Sequence, residues 1–187
     1  MQESTSASPA FSHGERIFEA GAAGLAWRVV SGSVRLDRRE ADGQLWLANL
    51  AVAGDIIGAE TLVFGAYTFE ATALSPCVLA PWPEGDGVPA DNSLLTTLAG
   101  AERRAAKVLA LRYGQALERV RRLVRLLARD GEAGSVVLPS RREMADITAL
   151  TLETVSRAVS ALRQSGELQP QRKPRGVAGP RSFSVAA

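Results

Sequence analysis

From Arg16 to Cys77 the apolar residues come in short runs broken by glycine: AWRVV, SVRLDRR, QLWLANLAV, DIIG, and YTFEATAL followed by CVLA. Val34 and Leu36 alternate with Arg35 and Asp37, and Leu45 and Leu47 with Trp46 and Ala48. A period of two puts alternate side chains on one face of a strand. With turn signals at Ser31-Gly32, Asp42-Gly43 and Gly54-Asp55, it predicts several short antiparallel strands folded as a sandwich or roll. Asp42-Gly43 is the strongest hairpin signal, because Gly supplies the positive φ that a primed turn needs. The Pro-, Gly- and acid-rich stretch PWPEGDGVPAD, residues 81–91, reads as a loop that ends the β region.

The period then changes. Asp91 or Asn92 suits a helix N-cap, and Leu94, Leu98, Ala101, Ala105 and Val108 follow at spacings of 4, 3, 4 and 3, a seam for another helix. Two readings stand: a coiled coil between two copies of the chain, with small Ala101 and Ala105 allowing close approach, or an amphipathic helix lying on its own β domain. The register lapses near Arg112. Gly114, at a cost of about 1 kcal/mol against Ala inside a helix, marks a break or hinge, or else is tolerated within one continuous helix. Residues 115–129, QALERVRRLVRLLAR, form a second amphipathic helix with Leu117, Val120, Val124 and Leu127 on one face and Arg119, Arg122, Arg125 and Arg129 elsewhere; Asp130-Gly131 ends it.

Ser140 and Glu143 in S-R-R-E have the capping-box spacing, so a helix should begin at Arg141. It is short, because Thr148-Ala149-Leu150-Thr151 interrupts it and Thr151 can cap a new helix, LETVSRAVSALRQ, which stops at Ser165-Gly166. In this second helix Val155, Val159 and Leu162 form the buried stripe, while Glu153, Ser156, Arg157 and Ser160 face the other way. Polar residues near the N-terminal end are what a recognition helix places in a major groove, where Arg pairs bidentately with guanine and Glu accepts from cytosine. The tail ELQPQRKPRGVAGPRSFSV reads as two short strands joined by a basic loop, with Arg172, Lys173, Arg175 and Arg181 suited to phosphates. The whole pattern is a winged helix.

Charge position agrees. Residues 1–100 carry 5 basic and 12 acidic side chains and residues 101–187 carry 17 and 8, so a net charge of +2 conceals halves of −7 and +9. Such segregation points to a polyanion partner for the C-terminal half and to two domains. Of the 22 basic residues 20 are Arg, which favours bidentate contacts. The single cysteine, Cys77, excludes an internal disulfide and a thiolate cluster, and the single histidine, His13, leaves a multi-histidine metal centre or a catalytic triad without parts. No acid–base pair stands out, so an enzyme is not predicted. The first dozen residues lack the basic and apolar regions of a secretion signal, and no window approaches the ~18 apolar residues of a membrane span. A cytoplasmic protein with no membrane partner is expected.

The segment LPSRREMADITALTLETVSRAVSALRQSGEL resembles the DNA-binding segment of the Crp/Fnr family of bacterial transcription regulators, most specifically at the E-T-V-S-R core, Glu153 to Arg157. The N-terminal half resembles that family's cyclic-nucleotide-binding-like β-roll through Gly14 with Phe18, Gly21, VVSGSVRL at 29–36, Asp42-Gly43 and GDIIGAE at 54–60. Together these cover nearly all of the chain from residue 12. The resemblance implies an α+β fold: an antiparallel β-roll of the jelly-roll kind over 1–91 as sensor, a long dimerisation helix and hinge over 92–114, and a winged helix-turn-helix over 115–187. It implies a homodimer bound to double-stranded DNA, with RNA polymerase as a further candidate partner. Glu153, Ser156 and Arg157 match the triplet that, in the Fnr-like branch, reads half-sites resembling TTGAT or TTGAC. Ser140, Arg141, Thr151 and Thr154 match positions used for DNA-backbone contacts. The lesser alternative is that Glu153 and Arg157 form only a surface ion pair four residues apart.

Four departures matter. Ala149 stands where the family's turn usually has Gly, and Thr148 where it has Leu. Tyr67-Thr68 stands where an Arg-Ser pair holds the cyclic phosphate, and a buried phosphate without Arg has no counter-charge, so cyclic AMP is disfavoured. The cysteine set of the iron–sulfur sensors is absent, and haem, which would need His13 or Cys77, is disfavoured against a surface His and a buried strand Cys. The chain also begins late relative to the family, as a shortened sensor that has lost its effector would. Gly58, Glu60, Tyr67 and Thr68 are the candidate effector pocket, with Glu60 either a ribose-contacting carboxylate or a structural acid. The alternative function is a small-molecule-binding or cupin-like β-roll whose basic tail adheres to nucleic acid without specificity.

Overall fold

The computed structural model describes residues 8–83, 91–128, 135–171 and 182–185, and every structural statement below concerns these residues. Eight strands precede the first long helix: β1 (Ala10–Phe11), β2 (Arg16–Phe18), β3 (Ala26–Ser31), β4 (Ser33–Arg39), β5 (Leu45–Val52), β6 (Ile56–Ile57), β7 (Glu70–Ala73) and β8 (Cys77–Trp82), with the short helix α1 (Thr61–Phe64) between β6 and β7. They pair antiparallel in two four-stranded sheets, β1-β8-β3-β6 and β2-β7-β4-β5. Phe18, Val29, Val34, Leu36, Ala51, Ile57, Tyr67, Ala71, Ala73, Cys77 and Leu79 form the roll's own core. Burial pushes the Cys77 thiol up to about 11.

The turn signals take different forms. Gly32, at φ 84°, does not close a hairpin: β3 and β4 lie in different sheets, and a Cβ at Gly32 would collide with the Pro76 carbonyl oxygen. Asp42-Gly43 does close the β4–β5 hairpin, but not as a two-residue primed turn. The Glu40 and Gln44 backbones pair (2.9 Å), Gly43 N donates to Glu40 O (2.9 Å), and Gly43 alone has positive φ, the three-residue loop with a left-handed last position.

Alternation translates into burial only in part. Asp37, expected outside, is 4 % exposed, because the β4–β5 register shifts between Leu36 and Asp37. Burial raises its pKa although Arg35 donates to both its oxygens at 2.7 Å. In β5, Leu45 and Trp46 are exposed, whereas Leu50, Ala51 and Val52 are all buried. Both faces of that end are covered: Ala51 joins the roll core, Leu50 and Val52 the helical core.

Helix α2 (Asp91–Ala110) is followed by α3 (Ala116–Leu127). Gly114, at φ 89°, breaks the helix as the hinge reading requires, and arginines of α3 bind the freed carbonyls: Arg122 donates to Ala110 O (3.1 Å) and Tyr113 O (3.3 Å), Arg119 to Gly114 O (2.9 Å). Next come β9 (Ser135–Val137), α4 (Arg141–Thr148), α5 (Leu152–Gln164), β10 (Leu168–Pro170) and β11 (Ser182–Val185), with a three-stranded sheet ordered β10-β11-β9. Two strands were expected in this wing; β9 is a third. One cluster joins Val120, Leu123 and Val124 of α3, Met144 and Ile147 of α4, and Val155, Val159 and Leu162 of α5, with Leu50, Val52 and Leu74 of the roll at its edge. No helix among the described residues is long and apolar enough to cross a membrane.

Candidate nucleic-acid interface

The start of α4 is built as its sequence requires. Ser140 Oγ accepts from Glu143 N (3.2 Å) and Glu143 Oε2 accepts from Ser140 N (2.7 Å), a complete capping box. At the other end Ala149 takes φ 51°, ψ 48°, the glycine conformation of the turn, and its N–H is held by the Ala145 and Asp146 carbonyls. Thr148 is fully buried and loses no hydrogen bond, since its hydroxyl donates to Met144 O at 2.6 Å. The turn therefore keeps its helix–turn–helix geometry despite both departures. Thr151 Oγ1 then accepts from Thr154 N (3.2 Å) and caps α5.

On α5, Val155, Ala158, Val159 and Leu162 face the core. The side chains of Glu153 and Arg157 are 79 % and 72 % exposed and lie 3.7 Å apart, one turn from each other. The surface ion pair is thus real, loose and fully wetted, so it holds neither group back from another partner. Ser156, between them on the helix, donates its hydroxyl to Leu152 O (2.9 Å). Ser140 and Thr151 are exposed. Arg141 is half-buried, and burial, with Arg163 nearby, lowers its pKa. Arg172, Lys173, Arg175 and Arg181 lie outside the described residues. The arginines of α3 are largely committed elsewhere: Arg121 bridges Glu118 (2.6 Å) and Glu167 (2.7 Å), which fastens α3 to the turn after α5.

The expected effector residues come together, but as packing. The Tyr67 ring stacks on Phe18 at 3.7 Å between centroids; its hydroxyl donates to Leu25 O (2.7 Å) and accepts from Trp27 Nε1 (3.2 Å). A Cβ on Gly58 would lie 2.6 Å from this ring, and one on Gly24 would collide with its hydroxyl. Glu60 accepts from Thr68 N at 3.1 Å. The space beside Gly58 thus holds the phenol ring of Tyr67. A separate cavity of about 730 Å³ opens between β5, β6 and α2, with Ala51, Ile56 and Trp82 on the roll side and Thr97 and Gly100 on the helix. Arg28, Arg103, Arg104 and Lys107 give it a cationic lining, and Arg104 pairs with Asp55 at 2.5 Å. None of these cations was singled out from the sequence, and no local pattern marks them, since Arg28 and the α2 cations come from separate elements.

The seam on α2 needs correction at one position. Val108 is 5 % exposed and, with buried Arg104, faces the protein's own core, because α2 packs on β5 and α3. Leu98, Ala101 and Ala105 are exposed, while the side chain of Leu94 falls outside the described residues. Leu95 and Leu109, at 64 % and 60 % exposure, extend the outward row, so it runs Leu95, Leu98, Ala105, Leu109 at helical spacing.

Comparison with known proteins gives two family matches: the cyclic nucleotide-binding domain over residues 9–86 and the Crp-like helix-turn-helix domain over residues 118–177. The nitrogen fixation regulation protein FixK of Bradyrhizobium diazoefficiens is 32 % identical over 173 residues, which cover 84 % of this chain and 72 % of that protein. The transcriptional regulator LdrP of Thermus thermophilus is 31 % identical over 148 residues, 75 % of each. The FixK of Rhizobium meliloti is matched over 66 % of its length, so the chain spans about two thirds to three quarters of these curated relatives. Among solved structures, FixK2 from Bradyrhizobium japonicum superposes with a TM-score of 0.69 at 28 % identity, covering 96 % of this chain and 91 % of that one. A CRP-family transcriptional regulator from Thermus thermophilus superposes at 0.65 with 26 % identity, covering 95 % and 91 %. A regulator's helix-turn-helix, not a cupin-like domain with an adhesive tail, is what these similarities support.

Proposed function

Since the chain belongs to the Crp/Fnr family of transcription regulators, we propose that it acts in the cytoplasm as a homodimer on a palindromic, Fnr-like operator, reading bases with Glu153, Ser156 and Arg157. The observation that carries this reading is the open outer face of α5: a carboxylate and a guanidinium one turn apart, wetted, at the N-terminal half of a helix whose other face is fully packed. Arg157 supplies two parallel donors for guanine O6 and N7, and Glu153 accepts from a cytosine or adenine amino group. Ser140, Thr151, Thr154, Arg141 and the basic wing fix register on phosphates. The outward row of α2 brings two chains together, which sets half-site spacing by the dimer's two-fold axis.

An effector other than cyclic AMP would enter between the roll and α2. The volume of that cavity is in the range of small-molecule sites, and its cations suit an anionic ligand. Activation or repression then follows from operator position relative to RNA polymerase. Selection of bound sequences from random duplex DNA tests the core of the proposal. An inverted repeat of TTGAT or TTGAC should emerge, and Arg157→Ala should cost about 1–3 kcal/mol on it while flattening base preference. Equal binding of selected and scrambled duplexes by the wild-type protein would refute operator reading.

A further inference from the structure

Two side-chain contacts, a hydrogen bond from a histidine and an arginine–aspartate ion pair, cross from the roll to α4. In the loop between β1 and β2, His13 Nε2 lies 2.9 Å and 3.1 Å from the two oxygens of Glu143. In the middle of β4, Arg35 reaches Asp146 Oδ2 at 2.5 Å. Glu143 is in the first turn of α4 and Asp146 in its last, so the roll grips the helix one turn apart, which fixes both tilt and rotation in a way one contact would not.

The grip is stiff on the roll side. The Arg35 side chain is 15 % exposed and already oriented by buried Asp37, so Asp146 meets a preorganised guanidinium instead of a mobile chain. On the α4 side, Asp146 is a poor local choice. A carboxylate in the last turn of an eight-residue helix opposes the helix dipole, and the compensating cation comes from the other domain. Glu143 is also the acid of the capping box that holds Ser140 N, so His13 touches the group that builds the start of the helix-turn-helix. Helices α4 and α5 share one core through Met144, Ile147, Val155 and Val159, so whatever orients α4 orients α5. With both contacts made, Glu153 and Arg157 remain open to solvent.

We infer that His13 and Arg35 are positioning residues for DNA reading: through Glu143 and Asp146 they hold α4, and with it α5, in the orientation that presents the base-reading face to DNA. The inference rests on the operator-binding function proposed above. A reading unit that spends a tenth of its time in the right orientation binds about tenfold more weakly without losing any DNA contact.

Asp146→Ala is the cleanest perturbation, because it leaves the Arg35–Asp37 pair intact and removes an unfavourable helix charge. The test measures three things for Asp146→Ala, His13→Ala and the double variant. The first is the melting temperature. The second is the spin-label distance between Arg38→Cys and Arg163→Cys without DNA, in dimers diluted with unlabelled chain. The third is affinity for a fluorescent duplex carrying an inverted TTGAT repeat. Melting should stay level or rise for Asp146→Ala, the distance distribution should broaden, and affinity should fall about threefold for each single variant and about tenfold for the double. Asp146→Asn, which keeps an acceptor for Arg35, should stay near wild type in all three. An unchanged distance distribution in the double variant would overturn the inference. Broadened distances with unchanged or tighter duplex binding would overturn it too, since the docked orientation would not be the reading one. A wild-type protein that binds no duplex, with distances that still respond, would instead refute the operator reading itself.

Discussion

Ala149→Gly should stabilise the protein without touching its DNA face. Ala149 sits at φ 51°, ψ 48°, and among the described residues it alone has positive φ without being glycine. This conformation costs an L residue about 1–2 kcal/mol, because Cβ crowds the following carbonyl oxygen. The side chain of Ala149 is exposed, so removing the methyl group forfeits no packing. Against the gain stands the greater freedom of glycine in the unfolded chain, about 0.4–1 kcal/mol. The difference of the mid-range values leaves a stabilisation of about 0.8 kcal/mol, within limits of about 0 and 1.6, or roughly 2–3 °C in melting temperature for a chain of this size. Urea denaturation with thermal melting reads both numbers, and operator affinity should not change, since the α4–α5 turn keeps its geometry. Ala149→Val should go the other way, because a β-branched residue tolerates this region worse than Ala. A melting temperature that falls on Ala149→Gly would refute the strain argument, and an unchanged Ala149→Val would do so independently.

The two faces of α2 should answer differently to the same change. Leu98→Asp, on the outward row, should split the proposed dimer in sedimentation while each chain still melts cooperatively, whereas Val108→Asp should fail to fold because it puts a carboxylate into the apolar core. Tyr67→Ala should cost about 3–5 kcal/mol in chemical denaturation, from the ring volume lost beside Phe18 and Gly58. Tyr67→Phe should cost about 1–3 kcal/mol, for the donor lost at Leu25 O and the acceptor lost at Trp27. Hydrogen bonds from Arg121 lower the pKa of both Glu118 and Glu167. The stability these carboxylates lend is therefore complete above the ordinary glutamate value of 4.5 and is lost as pH falls through their lowered values. Glu167→Gln should be less stable than wild type at neutral pH, with the gap closing below pH 4.5 in denaturant titrations; a gap constant with pH would contradict the assignment.

What the pattern of residues made legible is what depends on neighbours in sequence. Val34 and Leu36 are buried as their alternation predicts, yet Asp37 and the end of β5 escape the rule. A register shift turns one inward, and helices cover the outer face of the other. Strand β9 is three residues long and pairs with β11 some fifty residues later, too short for a period and too distant for a turn signal. On α2 two apolar rows compete, and periodicity counts only apolar residues. It therefore overlooks Arg104, which occupies the inward face because Asp55 meets it there, 49 residues away in sequence.

The same division runs through the site. The parts proposed to read DNA are local: a cap at Ser140, a turn at Ala149, a cap at Thr151, and Glu153 with Arg157 one turn apart, each recognisable from residues within five positions. Its orienting parts are not. His13 and Glu143 are separated by 130 positions, and nothing near either residue announces the other. The only local trace is misfit at Asp146, an acid at the wrong end of a helix whose compensating cation, Arg35, lies in the roll. The proposed reading and positioning roles therefore fall on disjoint residues. Substitutions at Glu153 to Arg157 should change which sequence is bound, whereas substitutions at His13 and Asp146 should change how tightly every sequence is bound by a common factor.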